Sequence, residues 1–100
     1  MEVIPWKSEK VPGADYVGGE LRKIGYVVSA HPFPVNHQSV THNTLNGEEI
    51  LWMVKGKIDL NIDQKKYTLN AGDRILIPKG LKYHFRVNSP EGAFYLLGKK

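Results

Sequence analysis

The chain contains no cysteine. That absence removes disulfide cross-links, thiolate metal centres and thiol nucleophiles together. It also lacks any apolar run near the roughly 20 residues that a membrane-spanning helix needs. The segment Met1-Glu2-Val3-Ile4-Pro5-Trp6 has no basic stretch followed by an apolar one, so no leader peptide is expected. The cytoplasm is the expected location, and no membrane is expected as partner. Charge of a single sign is lacking as well. Fourteen Lys and Arg stand against ten Asp and Glu, a net +4. The lysines are scattered, adjacent only at Lys65-Lys66 and Lys99-Lys100. Without a concentrated basic face interleaved with aromatics, nucleic acid is not an expected partner. No segment repeats apolar residues at i, i+3, i+4 and i+7, so no amphipathic helix is expected.

What the chain does have is alternation. Ile58, Leu60 and Ile62 fall on one face of a strand, and Asp59, Asn61 and Asp63 on the other. Ile50 to Val54 is almost continuously apolar, as expected of a strand buried on both faces, one of which would meet a neighbouring sheet or a second subunit. Further strands are expected over Glu20 to Ala30, Gln38 to His42, Tyr67 to Leu69, Arg74 to Ile77, Lys82 to Val87 and Ala93 to Leu97. Turn chemistry separates them at Asn46-Gly47, Lys55-Gly56, Asp63-Gln64-Lys65, Asn70 to Asp73 and Asn88 to Gly92. Pro32 and Pro34 are expected to end the strand before them. Eight to ten short antiparallel strands at regular spacing read as an all-β sandwich or barrel. One hundred residues give one core. Residues 20–100 are expected to form it. Residues 1–19, interrupted by prolines and glycines, form an N-terminal arm packed on the barrel or on a partner subunit.

Two spacings then carry a family resemblance. Glu49, six residues and Gly56 resemble the end of the first cupin motif. Gly72, five residues, Pro78, one residue and Gly80 resemble the start of the second. Over about residues 24–97 the chain resembles a small single-domain cupin, which implies a jelly roll and agrees with the strand pattern. Metal-binding members supply His-x-His and a glutamate from the first motif and another histidine from the second. Here His42-Asn43-Thr44 occupies the His-x-His place. His42 and Glu49 match, whereas Thr44 offers a poor ligand for a divalent transition metal. The second histidine position, three residues after Gly80, is Tyr83, and His84 follows one residue later. Parity groups Tyr83, Phe85 and Val87 on one face and Lys82, His84, Arg86 and Asn88 on the other, and a one-residue slip exchanges the faces.

Two arrangements therefore stand open. With the apolar face inward, Tyr83 lines the cavity and His84 faces out. With a bulge near Gly80 to Lys82, His84 turns inward. In the second case His42, Glu49 and His84 would make a two-histidine, one-carboxylate set for iron, manganese, nickel or zinc. Thr44, Tyr83 and Met53 are the expected lining for a small organic ligand.

Glu49 shares parity with Leu51 and Met53. An inward carboxylate costs several kcal/mol unless it is paired, protonated or ligating. The alternative is a strand-end carboxylate, solvated or bridged to Arg74 or Arg86. His31 and His37, beside prolines, are expected to be exposed. The functional expectation is a barrel-mouth pocket that binds or acts on a small organic molecule, with catalysis left open. The alternatives are metal-free binding, or a structural homodimer without catalysis.

Overall fold

The computed structural model describes residues 1–100 and contains nine strands and one helix. In chain order these are β1 (Val3–Ile4), α1 (Ala14–Lys23), β2 (Val27–Phe33), β3 (His42–Asn43), β4 (Glu49–Lys55), β5 (Ile58–Ile62), β6 (Lys65–Leu69), β7 (Arg74–Ile77), β8 (Lys82–Val87) and β9 (Ala93–Lys99). They form two antiparallel sheets, β1-β7-β4-β9-β2 and β3-β8-β5-β6. The inner faces of both sheets meet in a dry layer built from Leu51, Met53, Leu60, Ile75, Phe85 and Tyr95 among others. This is the jelly roll that the family resemblance implies and with which the strand pattern agrees, as two facing sheets rather than a closed cylinder.

The alternation of β5 is realised side chain by side chain: Ile58, Leu60 and Ile62 are buried and Asp59 is exposed. Ile62 pairs with Lys65 across a two-residue turn. Asp63 and Gln64 both take left-handed backbone angles there, φ 49 and 68. That geometry matches the twist of the flanking strands.

Expected strand bounds are overturned in two places: the strand expected over Gln38 to His42 is reduced to β3 with an isolated bridge at Gln38, and the one expected over Glu20 to Ala30 is displaced. Residues 14–23 are helical, so the strand expected from Glu20 begins only at Val27. The helix escapes a periodicity reading because its buried face is only Val17, Gly18 and Leu21. Two apolar side chains one turn apart are too few to set a repeat. Asp15 in its first turn and Arg22 and Lys23 in its last suit the helix dipole.

The helix explains the two-faced burial of β4. Leu51 and Met53 point between the sheets, while Trp52 and Val54 point outward under Val17 and Leu21. The outer face thus meets the chain's own helix rather than another sheet. Trp52 Nε1 donates to the Gly72 carbonyl at 2.9 Å, and Tyr16 stands edge-on to both Trp6 and Trp52. The first residues lie on the same face: β1 pairs with β7, and the Trp6 amide donates to Asp73 Oδ1 at 3.1 Å.

Two tight crossings fix the ends of β4 and β9. Gly56 has φ 79, and a Cβ there would overlap the Gly92 carbonyl oxygen; Gly92 in turn, at φ 79, lies against the Phe33 carbonyl. Only glycine fits such approaches. No helix is long and apolar enough to cross a membrane.

Candidate functional site

The two sheets expose edges β2 and β3 on the same side of the molecule, and the inward side chains of five strands converge there. β4 contributes Glu49, β8 Tyr83, β9 Tyr95, β3 His42 and β2 His31. His42 stacks on Tyr83, with ring centroids 5.2 Å apart, its strand partner in the register. His31 packs on Tyr95 at 5.3 Å, again a register partner. Phe33 seals the adjoining stretch against Phe85 at 4.9 Å and His37 at 4.7 Å.

Glu49 is the focus of this opening. Only 6% of it is exposed, and Tyr83 donates its phenol proton to Oε1 at 2.9 Å. Its other oxygen makes no hydrogen bond within the chain, yet no buried side-chain oxygen lacks a partner. That second oxygen therefore faces solvent in the opening. The same reasoning applies to the Tyr95 hydroxyl, which has no partner in the chain although the residue is 2% exposed. Glu49 borders a cavity of about 80 Å³ shared with Asn43, Asn46, Gly47, Glu48, Lys99 and Lys100.

The electrostatics follow from burial around one carboxylate. Burial, the Glu49 charge and the hydrogen bond to it push the Tyr83 phenol far above its ordinary value of 10.0. Burial and the Glu49 charge do the same to Tyr95. Both phenols are thus fixed as neutral donors. Burial, then Lys99 and His42, hold the His31 imidazole below its ordinary 6.5. A neutral imidazole keeps one acceptor nitrogen. His31 Nε2 is 2.8 Å from Ser29 Oγ.

Of the expected site residues, Tyr83 touches both Glu49, by its hydrogen bond, and His42, by stacking. Thr44 is adjacent but occupied: its hydroxyl donates to the Pro78 carbonyl at 2.6 Å and accepts from the Leu81 amide at 3.0 Å. It ties the first motif to the turn of the second. Met53 lies fully buried, deep between the sheets. Glu49 is bridged to neither arginine, since Arg74 lies over Trp52 on the outer face. His84 lies on the outer face of the second sheet, opposite Asn61. β8 runs in unbroken register from Tyr83 to Val87, so no bulge turns His84 inward. It borders instead a polar hollow of about 270 Å³ with Asp59, Lys66, Thr68 and Arg86. No three His, Asp or Glu side chains converge closely enough to hold a metal ion.

His31, Tyr95 and Lys99 belong to the site and were not singled out by sequence. The prolines conceal His31: Pro32 sits inside β2 without ending it. β2 is an edge strand, where a missing amide donor costs no ladder bond. Alternation around His31 and Phe33, and along Tyr95, Leu97 and Lys99, is the signal that places them inward.

Comparison with known proteins adds the following. Residues 33–97 match the family model described as a cupin domain. The chain is 43% identical over 44 residues to a protein named acetate kinase EutQ of Clostridioides difficile strain 630, covering 44% of this chain and 28% of that protein. Among solved structures, KdgF from Halomonas sp. superposes with a TM-score of 0.64 at 16% identity, over 75% of this chain and 69% of that one. The CENP-C cupin domain of Drosophila melanogaster gives a TM-score of 0.68 at 14% identity, over 73% of this chain and 56% of that one. The chain thus spans little over half of that domain, and these two structural likenesses speak for the fold alone.

Proposed function

The chain belongs to the cupin family, and from that premise we propose that it binds a small organic molecule in the opening between β2 and β3. One observation carries the reading. A nearly buried carboxylate, Glu49, is held by Tyr83 through one oxygen and presents the other to the opening. That oxygen is an acceptor with no partner in the chain, and a ligand hydroxyl can take the place of the solvent that reaches it. Tyr95 lies near enough to feel the Glu49 charge, and His42 stacks on the Tyr83 ring that holds Glu49. The name of the EutQ relative supports a small organic acid as ligand; phosphoryl transfer is not carried over from an alignment that covers so little of that protein.

A divalent metal, the cofactor that the family resemblance implies, is poorly matched by these residues. Thr44 spends its hydroxyl on the Pro78–Leu81 turn. Tyr83 keeps its proton on Glu49, and His84 lies on the other side of a sheet. His42 and Glu49 remain, and His31 does not converge on them closely enough to complete the set that holds iron(II) with open positions. No chemical step is routed through a metal.

The test is a panel of small organic molecules and of zinc, manganese, nickel and iron(II) salts, screened by thermal melts and two-dimensional NMR. Binding of an organic molecule at Glu49 without metal, lost in Glu49→Leu, is the expected result. Binding that needs a metal ion would overturn the metal-free reading.

A second reading, a homodimer, is favoured by a separate feature. An apolar groove of about 570 Å³ beside α1 is lined by Ile4, Tyr16, Ile24, Ile50, Trp52 and Leu76. Four of these side chains are among the exposed large hydrophobics, with Ile24 59% exposed. Arg74 lies over Trp52 at 4.5 Å without a carboxylate partner, and Glu20 stands on the rim. In a two-fold contact Glu20, paired with Lys23 of its own chain at 3.2 Å, would also meet Arg74 of the other copy, the isologous pattern of a homodimer. Sedimentation should show a dimer that Ile24→Glu dissociates; a monomer at micromolar concentration contradicts it.

A further inference from the structure

The opening is not electrically uniform. Its floor is the Glu49 carboxylate, but its rim is cationic. Lys99 is the register partner of Glu49 on β9 and shares the inward parity of Tyr95 and Leu97. It borders the same small cavity as Glu49, near enough to His31 for its charge to be felt there. Its neighbour Lys100 is engaged with Glu48 at 3.4 Å, whereas Lys99 makes no ion pair within the chain. The cavity therefore brings together a Lys99 ammonium free of any ion pair and the Glu49 carboxylate, register partners on neighbouring strands. The cavity of about 80 Å³ is near the liquid volume of three water molecules, at roughly 30 Å³ each.

We propose that the ligand is a small carboxylic acid of two or three carbons that also carries a hydroxyl group. Its carboxylate takes the Lys99 ammonium, and its hydroxyl donates to the free oxygen of Glu49. The proposal deepens the binding reading above and rests on it. A neutral polyol would leave Lys99 unused at the rim. A plain anion without a donor would face the Glu49 charge uncompensated. A hydroxy acid satisfies both ends, with its carbon backbone among Asn43, Asn46 and Gly47 of the cavity wall. The Lys99 ammonium favours the anionic end at the rim rather than at the floor, where the Glu49 carboxylate stands.

The experiment is an NMR titration of the full chain with glycolate and lactate, each beside its amide and beside acetate. Lys99→Met and, as a control, Lys66→Met on the outer face of the second sheet are titrated in parallel. The expected result is binding of glycolate or lactate that weakens at least tenfold in the amide, in acetate and in Lys99→Met, with Lys66→Met unchanged. Lys99 is exposed at a strand end, so its substitution leaves the fold intact. Equal binding of acid and amide, or indifference to Lys99→Met, overturns the hydroxy-acid assignment while the pocket stands. If none of these acids or amides perturbs the opening, the pocket reading falls with it.

Discussion

Replacing Tyr83 with phenylalanine removes one oxygen atom and leaves Glu49 without its only protein donor. A hydrogen bond to an ionised group contributes about 1.5–3 kcal/mol, more when its loss leaves the charge buried. Glu49 keeps one oxygen at the opening, so the expected cost is near the lower end, about 2 kcal/mol. For a domain of 100 residues that is a fall in Tm of about 8–16 °C. Glu49→Leu leaves the Tyr83 hydroxyl buried and unpaired but removes a desolvated charge, and the two effects offset to about 1 kcal/mol lost. The double variant Glu49→Leu/Tyr83→Phe has neither the charge nor the orphaned hydroxyl. It should lie within about 1 kcal/mol of the native chain, because apolar residues of similar volume replace buried polar pairs at little cost. The cycle then gives a coupling of about 2 kcal/mol. Urea unfolding followed by tryptophan fluorescence at pH 7 measures all four proteins, with constant slopes confirming that only stability has changed. Additive losses, with the double variant the weakest of the four, would refute the idea that the pair is kept for a ligand rather than for the fold.

Other consequences are accessible to simple measurements. Thr44→Val removes the hydroxyl that joins Pro78 and Leu81 and should cost about 2 kcal/mol in urea unfolding; no loss would deny it a structural role. Gly56→Ala meets both a left-handed φ and the Gly92 carbonyl, so a loss of about 3 kcal/mol or more is expected, and a neutral result would contradict the close crossing of β4 and β9. The Tyr83 and Tyr95 phenols titrate higher folded than unfolded, so their contribution is whole below pH 10 and is lost as the pH rises beyond it. Absorbance at 295 nm should show both phenols ionising only with unfolding. His31 titrates lower folded than unfolded, so the unfolded chain binds the extra proton, and stability falls as the pH drops through about 6.5. His31→Asn should flatten that slope, Lys99, His42 and Tyr95 being its ionisable neighbours.

The two-sheet architecture was legible because most of it is written in period 2. The alternation of β5 and the parity of Tyr83, Phe85 and Val87 translate directly into which side chains are buried. The helix was not legible, since a ten-residue element with a glycine in its buried face offers too little pattern. Its role was visible only as the second apolar face of β4. At the site, Glu49 and His42 were found by spacing, and Tyr83 by parity. His31 was hidden by prolines that an edge strand tolerates, and Tyr95 and Lys99 by lying in a strand with no motif. Which edges of two sheets come to face one another is a property of the topology, and local sequence carries no signal for it.

The imidazole protons of the four histidines give the most direct reading of where a ligand sits. His31 and His42 flank the opening, His37 packs on Phe33 beside it, and His84 lies on the far face of the second sheet. Titration with small hydroxy acids should move the His31 and His42 signals together and leave His84 unmoved. Movement of His84 alone, or of none of the four, would contradict a binding site built on Glu49.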